Sequence, residues 1–171
     1  LKIGFDGDYS NISKDEKRVS DNWYDDLIMS NDGLMMELNR NAAFLRSLGH
    51  ENFKSSIPDI SHILHEVNNP LEQAEDYFVI FPFASWYGKE WPIDKFVSLI
   101  AKLSERYAMA CVLCGGPNDV DSAQKIIGKS TVNIIDYTGK TDLMSLAKII
   151  QSSQLLVSND TSAIHIAAAV C

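Results

Sequence analysis

Tyr77-Phe78-Val79-Ile80-Phe81-Pro82 is the stretch from which this chain can be read. It is an unbroken apolar run closed by proline, the pattern of a short strand covered on both faces. Downstream, a loop of aromatic and small residues fills 83–91, and Pro92 stands where a first helical residue is expected, its missing N–H harmless there. Phe96, Leu99, Ile100 and Leu103 then recur at i, i+3, i+4 and i+7, one apolar helix face. Met109-Ala-Cys-Val-Leu-Cys114 is the next strand, and Gly115-Gly116-Pro117 turns the chain. Val120, Ala123, Ile126 and Ile127 mark a second helix with Gly128 as its stop, and 131–135 reads as a strand. Leu143, Leu146, Ala147 and Ile150 give a third helix, Leu155-Leu-Val157 a strand, and the chain from Thr161 onward reads as helix. Strand and helix alternate with short connections from 77 to the end. That predicts an α/β fold, a parallel sheet with helices on both faces.

Upstream of Tyr77 the pattern is looser and rich in Asp, Asn and Ser. Residues 2–5 read as a strand and 6–21 as polar loop, with a turn at Asp6-Gly7-Asp8. Leu34, Leu38, Phe44, Leu45 and Leu48 recur at near-helical spacing, and Gly49 follows as a stop. Asn69-Pro70 breaks the chain before an acidic helix or linker to Asp76. There is no internal repeat. The chain opens on Leu1 rather than Met and closes at Ala169-Val170-Cys171 inside an apolar stretch, so both ends read as cuts in a longer protein.

Composition narrows the function. With 171 residues and 46% apolar content, the chain can bury a core without disulfides or metal. Lys plus Arg is 15 against 23 for Asp plus Glu, a net charge of −8, which argues against sequence-independent binding to phosphate backbones. Recurring apolar runs exclude intrinsic disorder, and none approaches the roughly 18 residues of a membrane span. The start is too short and too soon charged for a signal peptide. Cys111 and Cys114 lie in an apolar strand, where positions three apart face opposite sides. The pair therefore reads as core thiols, in a reducing compartment such as the cytoplasm.

In parallel sheets of this kind ligands sit beyond the carboxyl ends of the strands, which singles out loops 82–92, 115–119, 136–142 and 158–165. The last, Ser158-Asn159-Asp160-Thr161-Ser162-Ala163-Ile164-His165, leads from a strand into a helix whose free N–H groups and dipole suit an anion. Taken alone, Asp160-Thr161 also fits an ordinary N-cap and His165 a partly exposed helical residue. Lys89 lies in the first loop, at a strand C-terminus, and can point across the same edge as a point charge for phosphate. Together the two loops fit a diphosphate better than either alone. Trp86 and Trp91 are candidates for stacking on a ligand, although Trp91 beside Pro92 also fits packing.

Four blocks in order carry a resemblance: Pro82-Phe-Ala-Ser-Trp-Tyr-Gly-Lys89-Glu-Trp91-Pro92, Gly115-Gly116, Thr138-Gly139-Lys140-Thr141-Asp142-Leu143, and Asn159-Asp160-Thr161 with His165-Ile-Ala-Ala168. The chain resembles the glycosyltransferase family 9 heptosyltransferases, which add ADP-heptose to the lipopolysaccharide inner core. The match is close over 77–171 and looser over 1–50. It implies a GT-B fold of two Rossmann-like domains with the active site between them. On that basis 1–76 would be the end of the N-terminal domain with the interdomain segment, and 77–171 the nucleotide-sugar-binding domain, truncated at its C-terminus. The resemblance also implies site roles. Ser85 (with Ala84) and Lys89 would contact the diphosphate, Asp160, Thr161, Ser162, Ala163 and His165 would cradle it, Lys140 and Thr141 would lie near the base, and Asp119 would fall near the ribose. The family carries Gly where this chain has Ser162, a change that narrows the site or adds a hydroxyl.

The implied reaction is inverting transfer of a sugar, heptose by the resemblance, from a nucleoside-diphosphate sugar to a lipid-linked saccharide. It uses no metal or other cofactor, at the cytoplasmic face of the inner membrane with peripheral association of the whole protein. The base that deprotonates the acceptor lies in the family's N-terminal domain, so no catalytic residue is assigned here, and the polypeptide alone should bind nucleotide better than it catalyses. A nucleotide-binding module without transfer and a nucleotide-sugar epimerase of related fold remain as alternatives. Asp119-Val-Asp121 matches a metal-holding pattern of the other major glycosyltransferase fold, but it opens a helix where carboxylates are favoured anyway. Hard-cation sites usually need more oxygen ligands than such a pair supplies. His62 and His65 have no third ligand nearby in sequence, and no Gly-x-Gly-x-x-Gly follows a strand.

Overall fold

The computed structural model describes residues 1–7, 9, 12–29, 35–72 and 76–170. Asp8, Leu34 and Cys171 from the readings above lie outside the described residues. The chain forms two compact units, Leu1–Ile57 and Pro58–Cys171.

In the first unit β1 (Ile3–Asp6) pairs in parallel with β2 (Asp26–Met29), in register from Ile3 opposite Asp26 to Asp6 opposite Met29. The stretch expected as loop contains α1 (Lys14–Asp21). Its start is a capping box: Ser13 Oγ accepts from Glu16 N–H, and Glu16 Oε2 accepts from Ser13 N–H. The Ser-x-x-Glu signal is local and polar, so a search for apolar periodicity passes over it. The helix's buried residue is a lysine: Lys17 is 6% exposed and donates to Asp6 at 2.6 Å and Asp21 at 2.7 Å. Those two carboxylates, Asp21 first, raise its pKa. α2 (Glu37–Ser47) ends where expected, with Gly49 at φ +98°.

The second unit holds β3 (Tyr77–Phe81), α3 (Ile93–Tyr107), β4 (Ala110–Leu113), α4 (Val120–Lys129), β5 (Ile134–Asp136), α5 (Leu143–Gln151), β6 (Leu155–Ser158) and α6 (Ser162–Val170). The sheet order is β5-β4-β3-β6, all parallel. The expected α/β architecture, a Rossmann-like sheet with helices on both faces, is thus present. Strand alternation divides the core. Phe78, Ile80, Cys111 and Leu113 pack with Phe96 and Ile100 of α3 and Ala123 and Ile126 of α4. Tyr77, Val79, Val112 and Cys114 face the other way, toward Ile149 of α5. Cys111 and Cys114 are free thiols on opposite faces of the sheet, and burial pushes each up to about 12.

Three ends differ from the sequence reading. Pro92 caps α3 rather than opening it, α4 runs through Gly128 to Lys129, and β5 starts only at Ile134. The last has a local cause: Ser130 Oγ donates to Val132 O and accepts from Val132 N–H, holding a bend that keeps these residues out of the ladder. Residues 58–72, expected as part of an interdomain segment, pack within the second unit. Ile60 N–H donates to Ala169 O, and fully buried Leu64, in a single 3-10 turn (Ser61–Leu64), meets Ala147, Ile150 and Ala163.

Candidate functional site

The chain runs outward from β3 to β4 to β5 and then returns to lay β6 on the other side of β3. The connections therefore diverge between β3 and β6, the switch point at which such sheets bind ligands beyond the strand ends. A cleft of about 570 Å³ lies at this edge, lined by Phe83 and Ser85 after β3, Gly116 to Asp119 after β4, and Asp160, Thr161 and Ser162 after β6.

The loop after β3 is braced from within. Ala84 N–H donates to Glu90 Oε1, Lys89 N–H to Trp86 O, and Glu90 N–H to Tyr87 O. Gly88 has no side chain because the Trp86 ring lies over it: a Cβ there would sit 2.5 Å from the indole. Trp91 packs edge-on to Phe96 at 5.2 Å but stays 45% exposed, and Trp86, beside Tyr87, is 59% exposed. The brace delivers Lys89 to Asp160, with Nζ 2.5 Å from Oδ2. That hydrogen bond, then the charge of Lys89 and that of His165, holds the Asp160 carboxyl below the usual carboxylate range.

The loop after β4 turns at Gly115, where a Cβ would meet the Phe83 ring at 2.6 Å, so glycine allows the two loops to close on each other. Asp119 accepts from Gly116 N–H at 2.7 Å, which fixes its carboxylate at the cleft wall. The loop after β6 opens α6 at the cleft, so the positive end of the helix dipole faces it. Thr161 Oγ1 accepts from Ala163 N–H, which ties one of the first-turn amides locally.

Of the residues singled out by sequence, Ser85, Asp119, Asp160, Thr161 and Ser162 line the cleft, and Lys89 joins them through Asp160. Ala163 is fully buried beneath the loop. His165 is exposed on α6 and is not among the residues lining the cleft. Lys140 is turned to the end of β5, donating to Asp136 O at 2.8 Å and Asp136 Oδ2 at 3.2 Å, and Thr141 is half-buried just before the N-cap Asp142. Neither lines the cleft. Asn159, quoted in a family block but given no role from sequence, is 9% exposed and bonds to both ends of the loop that carries Lys89. The available signal was a polar residue directly after an apolar strand, between two ligand-type neighbours. Among the described residues no group of three or more His, Cys, Asp or Glu is arranged to hold a metal ion, and no helix is long and apolar enough to cross a membrane.

Comparison with known proteins bears on the chain and its fold. The model of the family described as glycosyltransferase family 9 (heptosyltransferase) matches residues 1–171. Lipopolysaccharide heptosyltransferase 3 of Escherichia coli K12 is 30% identical over 138 residues, 77% of this chain and 40% of that protein. Among solved structures, E. coli heptosyltransferase WaaC with ADP superposes with a TM-score of 0.69 at 19% identity, covering 89% of this chain and 47% of its own. WaaC with ADP-2-deoxy-2-fluoro heptose gives 0.68 at 20% identity, covering 99% and 51%. A family 9 glycosyltransferase of Veillonella parvula gives 0.66 at 19% identity, covering 85% and 44%. The chain thus spans about two-fifths of the curated relative and about half of these solved chains.

Proposed function

This chain belongs to glycosyltransferase family 9, and we propose that the protein is an inverting glycosyltransferase that moves heptose from ADP-heptose to an acceptor in the lipopolysaccharide inner core. The observation that carries the reading is the convergence of Lys89, from the loop after β3, with the start of α6 at the β3/β6 switch point. The names of the relatives supply heptose and lipopolysaccharide, and a solved relative holds ADP.

When the bond between the sugar and the diphosphate breaks, negative charge grows on the leaving phosphate and the sugar becomes oxocarbenium-like. An acceptor hydroxyl adds from the opposite face as a base takes its proton, and no described residue is assigned that base. Lys89 and the N-terminus of α6 are placed to stabilise the departing diphosphate. Loss of one such preorganised donor typically costs about 10²–10³ in rate. To act, the Lys89 ammonium must exchange Asp160 for a phosphate oxygen. Ser85, Thr161 and Ser162 offer hydroxyls along the cleft wall, and Asp119 lines the same cleft, where in this reading it would meet the ribose. The neutralising charge in this reading comes from Lys89 and the helix rather than from a divalent cation. The acceptor is lipid-linked, and the protein works at the cytoplasmic face of the inner membrane with peripheral association.

A second reading, a module that holds nucleotide without transfer, is favoured by one observation: Ser162 lines the cleft where the family resemblance expects glycine. Titration calorimetry with ADP, UDP and GDP on wild type and Lys89→Ala tests the binding half. ADP should bind tightest, Lys89→Ala should weaken it about tenfold or more, and EDTA should leave it unchanged. Equal weak binding by both proteins overturns the assignment, and loss of binding in EDTA overturns the metal-free part. Transfer of heptose from ADP-heptose then separates the transferase from the module.

A further inference from the structure

We propose that Asn159 is the positioning residue of this site: its side-chain amide holds the loop bearing Lys89 in register with the loop bearing Asp160, Thr161 and Ser162. The proposal rests on the donor-binding reading above and adds to it the group that sets the geometry of the diphosphate cradle.

The β3/β6 ladder ends at Phe81 opposite Ser158, and beyond that pair the two loops leave the sheet. The backbone adds one long contact, Asn159 N–H to Phe81 O at 3.4 Å. The side chain provides the rest. Asn159 Nδ2 donates to Pro82 O at 2.6 Å, and Oδ1 accepts from Trp91 N–H at 3.2 Å. Pro82 and Trp91 are the two ends of the loop that carries Lys89, so one amide clamps both ends to the residue directly before Asp160. Lys89 lies two positions from the clamped Trp91, within reach of that constraint. The Lys89–Asp160 pair, by contrast, is formed by exposed side chains and cannot by itself hold the loops.

The chemistry demands this residue type. A donor and an acceptor are needed at once in a site only 9% exposed. A hydrocarbon side chain would leave Pro82 O without its donor, and a carboxylate would set negative charge against that carbonyl. A protonated carboxyl, however, has one O–H donor and one acceptor oxygen and can imitate the amide.

That last point supplies the test. ADP affinity is measured for wild type, Asn159→Asp, Asn159→Ser and Asn159→Ala at pH 7.5 and pH 5, each variant compared with wild type at the same pH. The comparison removes the titration of neighbouring Asp160 and Glu90 and of the ligand's own phosphate. At pH 7.5 Asn159→Asp should bind about tenfold more weakly than wild type. At pH 5, with burial raising the introduced carboxyl's pKa, it should come within about twofold. Asn159→Ala should stay weak at both, and Asn159→Ser, which keeps one hydroxyl able to bond one of the two partners, should be weakened at both without recovery. A bond serving only the fold would lower the melting temperature and leave the affinity of folded molecules unchanged. Wild-type affinity in Asn159→Asp or Asn159→Ser at pH 7.5, or equal deficits for Asp and Ala at both pH values, overturns the proposal. Hydrogen exchange at the Trp91 amide gives a ligand-free arm: faster exchange in Asn159→Ala supports the clamp, and unchanged exchange sinks it. Failure of wild type to bind any nucleoside diphosphate would count against the donor reading alone, with the Trp91 arm still deciding on Asn159.

Discussion

Lys89 and Asp160 are both largely open to water, so their contact is screened and matters for placement more than for stability. Folding lowers the Asp160 pKa, first through the hydrogen bond from Lys89 and then through its charge. As pH falls, the unfolded carboxyl takes up its proton before the folded one. The pair therefore favours the folded state above the ordinary carboxylate range, and that preference disappears as pH drops through the lowered value. Lys89→Ala should move the Asp160 titration up toward the ordinary carboxylate value, as read by carbon NMR of the side-chain carboxyl, and an unmoved titration would show that another group holds it low. Both residues were legible in the sequence because a charged side chain in a loop after a strand has few structural duties. The role of Asn159 was not, because its bonds go to main-chain atoms of residues 82 and 91, which no local pattern brings near 159. Lys140, set near the base by the family resemblance alone, donates in the fold to Asp136 at the end of its own strand.

At the level of elements, periodicity located the helices of the second unit well, while their ends answered to local bonds. α3 stops at Ala108, which adopts φ +51° although it is not glycine, its N–H donating to Ser104 O. A left-handed alanine is strained, so Ala108→Gly should stabilise the protein by about 0.5–1 kcal/mol. The corresponding rise in melting temperature is roughly 2 °C, and calorimetry showing a decrease would mean that Ala108 makes a contact worth more than the strain. The sequence offered no stop signal there, since the usual glycine is missing. At Gly128 it offered a signal that the helix ignored, because α4 stays regular until Ser130 turns out of it. α1 was hidden for another reason: its buried residue is Lys17, and its register is set by carboxylates rather than by apolar residues.

For the molecule as a whole, the sheet of the second unit separates two apolar layers and carries one free thiol into each. Cys111 and Cys114 should therefore react with a thiol reagent only at the rate at which that unit unfolds, and prompt labelling of either in native protein would contradict their burial. The same burial gives a pH dependence. An unfolded thiol loses its proton near its ordinary value of 9, while the folded ones hold theirs to about 12. Above pH 9 the unfolded state binds fewer protons, so stability falls as pH rises toward 12. The sequence by itself determined the alternation of strand and helix, the burial of both sheet faces and the family blocks, because each is written in neighbouring residues through period and side-chain type. Only the tertiary structure decided the strand order that sets β6 beside β3, and with it the meeting of Lys89 with Asp160 and the clamp at Asn159. Those contacts join residues about 70 positions apart, and nothing short of the folded sheet brings them within hydrogen-bonding distance.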